Sequence, residues 1–276
     1  MKIAFYSTNK YDKESFNQIQ SQHTIKFIEF QLNIDTIIYA HSYDAVCIFV
    51  NDVCNKEILI ELHKIGIKHV LLRCAGFNNV DILYAEQLGI NVVRVPEYSP
   101  HAVAEHAVAL LLTLNRKIHK AYNRVREGNF NLDGLTGFDL KGKTVGVIGY
   151  GKIGQVFAKI MHGFSSDVLV YDPFIQQEDL INGETLATLD ELFTHADIIS
   201  LHCPFNEQTQ HLINEKTVNL MKDNVFLINT SRGGLIDTKY IIKALKTKKI
   251  GALAIDVYEF ERDIFFKDLS DSYIAD

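Results

Sequence analysis

The 276-residue sequence is short of several things, and each shortage narrows the reading. It has four cysteines, Cys47, Cys54, Cys74 and Cys203, with no CxxC spacing among them. In a chain with no secretory signal, such thiols read as reduced packing residues rather than as disulfides or zinc ligands. There is no long uncharged apolar run, so no membrane-spanning helix is expected. The opening MKIAFYSTNK enters a strand pattern directly, without the charged and apolar regions of a signal peptide, and a cytoplasmic protein is expected. Basic residues are not in excess: the formal net charge is −6. Phosphate-backbone binding needs clustered Lys and Arg, so no nucleic-acid partner is expected. Eleven histidines are present, but none pairs with another and an acid at a metal-site spacing, and no metal is expected. Internal repeats and low-complexity segments are lacking too.

What is present is a regular alternation. KIAFYS (2–7), AVCIFV (45–50), HVLLRC (69–74) and NVVRV (91–95) are short, rich in β-formers, and read as strands. Helix-like stretches around 11–21, 57–66 and 80–88 separate them, the last closed by Gly89. From His101 to Gly128 the pattern becomes one long helix, with Pro100 just before it and Gly128 ending it. A second series follows with KTVGVIG (143–149), VLVYD (168–172), IISLH (198–202), VFLINT (225–230) and GALAID (251–256). Buried strands alternating with helices predict parallel sheets covered on both faces. The expected fold class is α/β: two Rossmann-like, doubly wound parallel-sheet domains, 1–99 and 100–276, with an interdomain cleft as the default binding site. The segment 129–140, with Gly134 and Gly137, is read together with the long helix as their junction.

Gly149-Tyr150-Gly151-Lys152-Ile153-Gly154 follows a strand and opens a helix. In such a turn the first glycine permits the tight bend, the second lets the backbone approach a diphosphate, and the third lets helix and strand pack closely. The diphosphate then sits at the helix N-terminus, where amide hydrogens and the dipole favour negative charge. Asp172, eighteen positions after Gly154, ends the next strand. A carboxylate there accepts hydrogen bonds from ribose hydroxyls and repels an extra phosphate, and no Lys or Arg follows it directly. The cofactor expected is therefore NAD.

Four segments make the chain resemble the D-2-hydroxyacid dehydrogenases: RCAGFNNVD (73–81), VPEYSPHAVAEHA (95–107), VIGYGKIG (147–154), and NTSRGGLID (229–237) with DVYEFERD (256–263). Within that family the chain is similar to the fermentative D-lactate dehydrogenases. The resemblance implies a flavodoxin-like first domain that binds a small 2-oxo acid and a second that binds NAD. It implies hydride transfer from NADH to the carbonyl carbon, with pyruvate going to D-lactate. Arg232 matches the family's catalytic arginine, which grips the oxo acid and supports charge developing on oxygen; by position alone a surface arginine reads equally well. Glu261 matches the acid that orients the catalytic histidine, with Glu259 a competitor that spacing does not exclude. Asp256 matches the residue that contacts the nicotinamide carboxamide, its alternative being a strand-end cap.

Ala75 and Gly76 match the backbone loop that holds the substrate carboxylate, and Tyr98 reaches the substrate. Phe49 either walls the pocket or sits in the core; a pocket narrowed by Tyr98 and Phe49 suits pyruvate. Lys152, Ile153, Cys203, Pro204 and Thr230 complete the expected cofactor contacts, with His202 and Cys203 read as walls rather than reacting groups. His106 is read as a packing residue of the long helix. The resemblance also implies a homodimer or higher homo-oligomer, with the long helix a contributor. The family's proton donor is a histidine beyond the position of Glu261, and no histidine follows Glu261 here. The ending SYIAD falls mid-segment, so a fragment lacking the family's C-terminal return helices, impaired in turnover and exposing an apolar patch, is expected over a short degraded copy. A corepressor-like NAD sensor is the alternative from another class; isocaproate- and glyoxylate-type enzymes are alternatives within the family.

Overall fold

Runs such as AVCI are apolar at every position, which suits a strand covered on both faces. In the computed structural model, which describes residues 1–261, 264 and 269–271, that run is the fully buried centre of the first of two units, Met1–Tyr98 and Ser99–Asp276. Arg262 and Asp263 of the 256–263 segment, and the terminal SYIAD, lie outside the described residues.

The first unit contains strands β1 (Lys2–Phe5), β2 (Thr24–Phe27), β3 (Ala45–Ile48), β4 (His69–Leu72) and β5 (Asn91–Arg94). They form a parallel sheet of order β2-β1-β3-β4-β5, the flavodoxin-like order. Helices α1 (Lys10–Asn17), α2 (Lys56–Lys64) and α3 (Ile82–Gln87) connect them. Asn55 caps α2 by accepting from the Ile58 amide, and Ile58, Leu59 and Leu62 bury one face of that helix against the sheet. The edge strand β2 is absent from the sequence reading: TIKF alternates between exposed and half-buried and offers no apolar run.

The second unit begins with α4 (Pro100–Arg116) and α5 (Ile118–Arg126). Here the single long helix is corrected. Lys117 sits in the left-handed region at φ +54 and divides it, and Pro100 lies inside α4 as its first residue, with the Ser99 hydroxyl accepting from the Ala102 amide. The side chain of buried Asn115 accepts from the Phe138 amide and donates to the Phe138 carbonyl. Gly137 packs so close to the Asn115 carbonyl that a Cβ would come within 2.5 Å of its oxygen. The returning segment thus occupies the space beside the end of α4, and α5 has no buried residue to keep it in line.

The remaining elements are β6 (Thr144–Ile148), α6 (Lys152–Gly163), β7 (Asp167–Tyr171), β8 (Thr185–Leu186), α7 (Leu189–His195), β9 (Ile198–Leu201), α8 (Glu215–Leu220), β10 (Val225–Asn229), α9 (Thr238–Lys246) and β11 (Ile250–Ile255). The parallel sheet runs β11-β10-β9-β6-β7-β8. Counted from β6 this is the dinucleotide-binding order, with its reversal between β6 and β9. An apolar hollow of about 490 Å³, lined by Ile236, Ile241, Leu245, Leu253 and Val257, lies on this unit beside Glu259. Among the described residues, no helix is long and apolar enough to cross a membrane.

Candidate active site

The glycine turn at the end of β6 has the geometry its sequence demands. Gly149 takes φ +94, and a Cβ there would lie 2.6 Å from the Cys203 amide nitrogen. A Cβ on Gly154 would run into the Gly149 carbonyl oxygen, so helix and turn can touch only without side chains. Gly151 faces open space, and as the N-cap of α6 it offers no side-chain acceptor to the first amides of that helix. Those amides and the helix dipole are left for an anion, as a diphosphate requires. Lys152 is exposed on the first turn, and Ile153 packs partly into the core.

Asp172 lies one residue past β7. Its Oδ2 accepts from the Tyr150 amide at 2.8 Å and its Oδ1 from the Phe174 amide at 3.0 Å. The backbone of the glycine turn thereby fixes the acid expected to meet the ribose. Each carboxylate oxygen has room for a second donor.

The ends of β9 and β10 are tied together, since the Ser231 hydroxyl donates to the Cys203 carbonyl at 2.7 Å. Burial raises the Cys203 thiol to about 11, so it is not a nucleophile at neutral pH. Pro204 is exposed and its carbonyl accepts from Thr209. His202 contacts Ser200 at 2.9 Å, and burial lowers its pKa to about 4. It is neutral near pH 7 and has no proton to give as an acid. The Thr230 hydroxyl is buried without a partner, an orphan that a bound cofactor would satisfy.

Arg232 is built by its own turn. Fully buried Asn229 accepts from the Ser231 amide and donates to the Arg232 carbonyl, leaving the Arg232 side chain exposed with one nitrogen on the Ser231 carbonyl. Gly233 lies directly against the backbone of Tyr258 and Glu259, so the turn of Arg232 and the turn of Glu261 are in contact. Glu259 is already engaged: its Oε1 meets His211 Nε2 at 2.7 Å and its Oε2 accepts from the Thr238 amide. Glu261 accepts only from the nearby Tyr258 amide among the described residues. The two carboxylates that spacing left open thus have different partners. Asp256, exposed at the end of β11, lies 3.4 Å from His106 on α4, a pairing that nothing in the sequence pattern signals.

In the first unit, the Ala75 amide donates to the Tyr98 hydroxyl at 3.1 Å, bringing two expected substrate residues together. Gly76 follows, its carbonyl accepting from the Cys74 thiol. Arg94, which the sequence reading passed over, braces this loop by donating to the carbonyls of Ala75 and Pro96. Phe49 packs partly into the core and lies 4.8 Å from the Arg73 guanidinium. Among the described residues, no group of three or more His, Cys, Asp or Glu side chains is placed to hold a metal.

Residues 108–271 match the family model of the D-isomer specific 2-hydroxyacid dehydrogenase NAD binding domain. The chain belongs to the D-2-hydroxyacid dehydrogenases. It is an NAD-dependent oxidoreductase of that family, and its second unit carries the NAD-binding domain. All of it aligns with the D-lactate dehydrogenase of Escherichia coli K12 at 50% identity, covering 84% of that protein. A 2-hydroxyacid dehydrogenase homolog of Haemophilus influenzae is 51% identical over the same share of its length. Among solved structures, the apo D-lactate dehydrogenase of E. coli superposes with a TM-score of 0.89 at 49% identity, covering 99% of this chain and 87% of that one. The Aquifex aeolicus D-lactate dehydrogenase, solved with NAD and lactic acid, gives 0.84 at 33% identity, with 99% and 82% covered.

Proposed function

We propose that this dehydrogenase acts on pyruvate and D-lactate. The observation that carries the reading is the contact between the turn of Arg232 and the turn of Glu261, through Gly233. It brings together the two turns that carry a permanent cation and a carboxylate, at the same end of one sheet as the nucleotide turn. NADH, when bound, supplies the hydride.

Gly149, Gly151, Lys152, Ile153 and Gly154 receive the diphosphate, Asp172 the ribose, and Cys203, Pro204, Thr230 and Asp256 the nicotinamide half. Arg232 binds the oxo acid and stabilises charge building on its carbonyl oxygen. The Ala75 and Gly76 amides take the carboxylate, with the Tyr98 hydroxyl turning from the Ala75 amide to the substrate. Glu261 orients and charges the imidazole that returns the proton; the resemblance makes that group a histidine, and none follows Glu261 in these 276 residues. Two further readings go with this one. Ile118, Tyr122 and Val125 form one exposed face of α5, and with exposed Phe130 and Leu132 they are surface for a second copy of the chain. Four buried thiols without a disulfide suit the cytoplasm.

Binding tests this independently of turnover. NADH fluorescence should respond to the chain, and oxamate, an unreactive pyruvate mimic, should bind to the NADH complex. Arg232→Gln should lose oxamate and keep NADH. A chain that binds NADH but neither oxamate nor any 2-oxo acid would refute the substrate assignment.

A further inference from the structure

Strands β3 and β4 pair Ile48 with Leu72, so the next residues, Phe49 and Arg73, leave the sheet side by side. The Arg73 amide extends the pairing by donating to the Ile48 carbonyl at 3.1 Å. An arginine here is costly, because its side chain is only 9% exposed. Its Nη2 donates to the Ser7 carbonyl at 2.6 Å, and its Nε lies 3.4 Å from Oδ1 of Asp12, a carboxylate as deeply buried. Nη1 is buried without a hydrogen-bond partner. Aromatic faces supply what oxygens do not: the guanidinium carbon lies 4.6 Å from the ring centre of Phe5 and 4.8 Å from that of Phe49.

The two rings differ in how they are fixed. Phe5 is 1% exposed and meets Phe16 and Phe27 edge-on at 5.0 and 5.4 Å, so the core holds it. Phe49 is half-buried, and its ring leans partly on the core and partly on Arg73. Its backbone is pinned, the amide donating to Asp52 Oδ2 at 2.6 Å and the carbonyl accepting from Asn79 at 2.9 Å. Ser7 joins both holds. It sits in the left-handed region at φ +49, a conformation that persists in such a residue only where its surroundings demand it. Its carbonyl takes Arg73, and its hydroxyl donates to Asp52 Oδ1 at 2.7 Å. One strained residue thus links the group beside the Phe49 ring to the group on the Phe49 amide. We infer that Arg73 is a positioning residue for the substrate pocket: clamped by Asp12 and the Ser7 carbonyl, it sets the Phe49 ring and so limits the length of the oxo acid that the first unit admits. This rests on the reading above, in which that unit takes a small 2-oxo acid at Ala75 and Gly76, with Phe49 as a wall.

The test sets two unreactive ligands of different length against the NADH complex of the full 276-residue chain: oxamate, and N-isopropyl oxamate, which matches a longer, branched 2-oxo acid. Calorimetry reads both affinities. Arg73→Lys keeps the charge and the stem but loses the planar face that stacks on aromatic rings. It should weaken oxamate about fivefold, the scale of one cation–aromatic contact, and leave N-isopropyl oxamate unchanged or tighter, so that the preference for the short ligand falls. NADH, which the second unit binds, should be held as before. Phe49→Leu should lower the same preference, and the double variant should be no worse than the worse single one, because both changes act on one ring. Asp12→Asn keeps the size and removes only the charge beside Nε; it should shift the preference the same way by less, and it carries the test if Arg73→Lys does not fold. An unchanged preference in the folded variants would overturn the inference. So would a parallel loss of both ligands, which reports a loosened first unit rather than a displaced ring. An unsubstituted chain that binds NADH but neither ligand would instead overturn the substrate reading, and the inference with it.

Discussion

Glu259→Gln is the substitution whose effect the geometry fixes best. The carboxylate joins three loops: His211 before α8, Thr238 at the start of α9, and its own turn after β11. A hydrogen bond to a charged partner is worth about 1.5–3 kcal/mol when screened from water. Here the His211 side chain is 38% exposed and that of Glu259 is 19% exposed. Water therefore replaces much of what is lost, and the expected cost is about 1 kcal/mol. For a unit of this size that lowers the midpoint by about 2–4 °C. The transition to follow is the one that added NADH moves upward, which marks the second unit in a two-unit chain. The pH dependence follows from the direction of the shift. Burial alone would raise the Glu259 carboxyl, but hydrogen bonds from Thr238 and His211 lower it below its ordinary value. A depressed carboxyl stabilises the fold above the unfolded value of about 4.3, and that contribution disappears as pH falls through the folded value. The deficit of the Gln variant should be full near neutrality and should close in acid. A variant as stable as the parent at neutral pH, or a deficit that widens on acidification, would refute the reasoning.

Other outcomes follow from single contacts. Gly154→Ala drives a Cβ into the Gly149 carbonyl and must part helix from turn; at about 1–3 kcal/mol of overpacking, NADH affinity should drop about tenfold or more in a fluorescence titration. Tyr98→Phe removes the hydroxyl that accepts from Ala75, so oxamate should bind several-fold more weakly to the NADH complex while NADH itself is held as before, as calorimetry would show. His202, held neutral by burial, should titrate near pH 4 in an NMR experiment. Because its folded pKa lies below the unfolded value of about 6.5, the unfolded chain binds more protons between the two, and this residue makes stability rise with pH across that window and level off above it.

What the sequence carried, it carried through residues with few alternatives. A strand buried on both faces must be apolar throughout, so β3 was legible in AVCIFV. The edge strands β2 and β8 bury little and leave no such run. The glycine turn was legible because only glycine tolerates φ +94 at position 149 or the carbonyl contact at position 154. The break at Lys117 was not, because helical periodicity continues through it. Its cause lies in Asn115 and Phe138, which meet only in the folded chain. The same limit hid the contact of His106 with Asp256, and the hold of Arg94 on the Ala75 loop. Partners distant in sequence decide these roles, and local pattern contains no trace of them.

The two carboxylates after β11 show how far such a partner can redirect a role. Glu259 and Glu261 are two positions apart on one turn, and by charge and spacing either could orient an imidazole. His211, 48 residues away, takes one oxygen of Glu259, while the Thr238 amide takes the other, which favours the proposal that Glu261 is the orienting acid. Glu261 keeps one oxygen on the Tyr258 amide, and its second has no partner among the described residues. An orienting acid needs a fixed direction and an acceptor to offer, and the bond to the Tyr258 amide supports proposing Glu261 for that part. Glu259 ties the shared turn to His211 and to the start of α9. The two should fail differently. On that proposal, Glu259→Gln should lower stability and weaken oxamate binding to the NADH complex, whereas Glu261→Gln should leave oxamate binding unchanged.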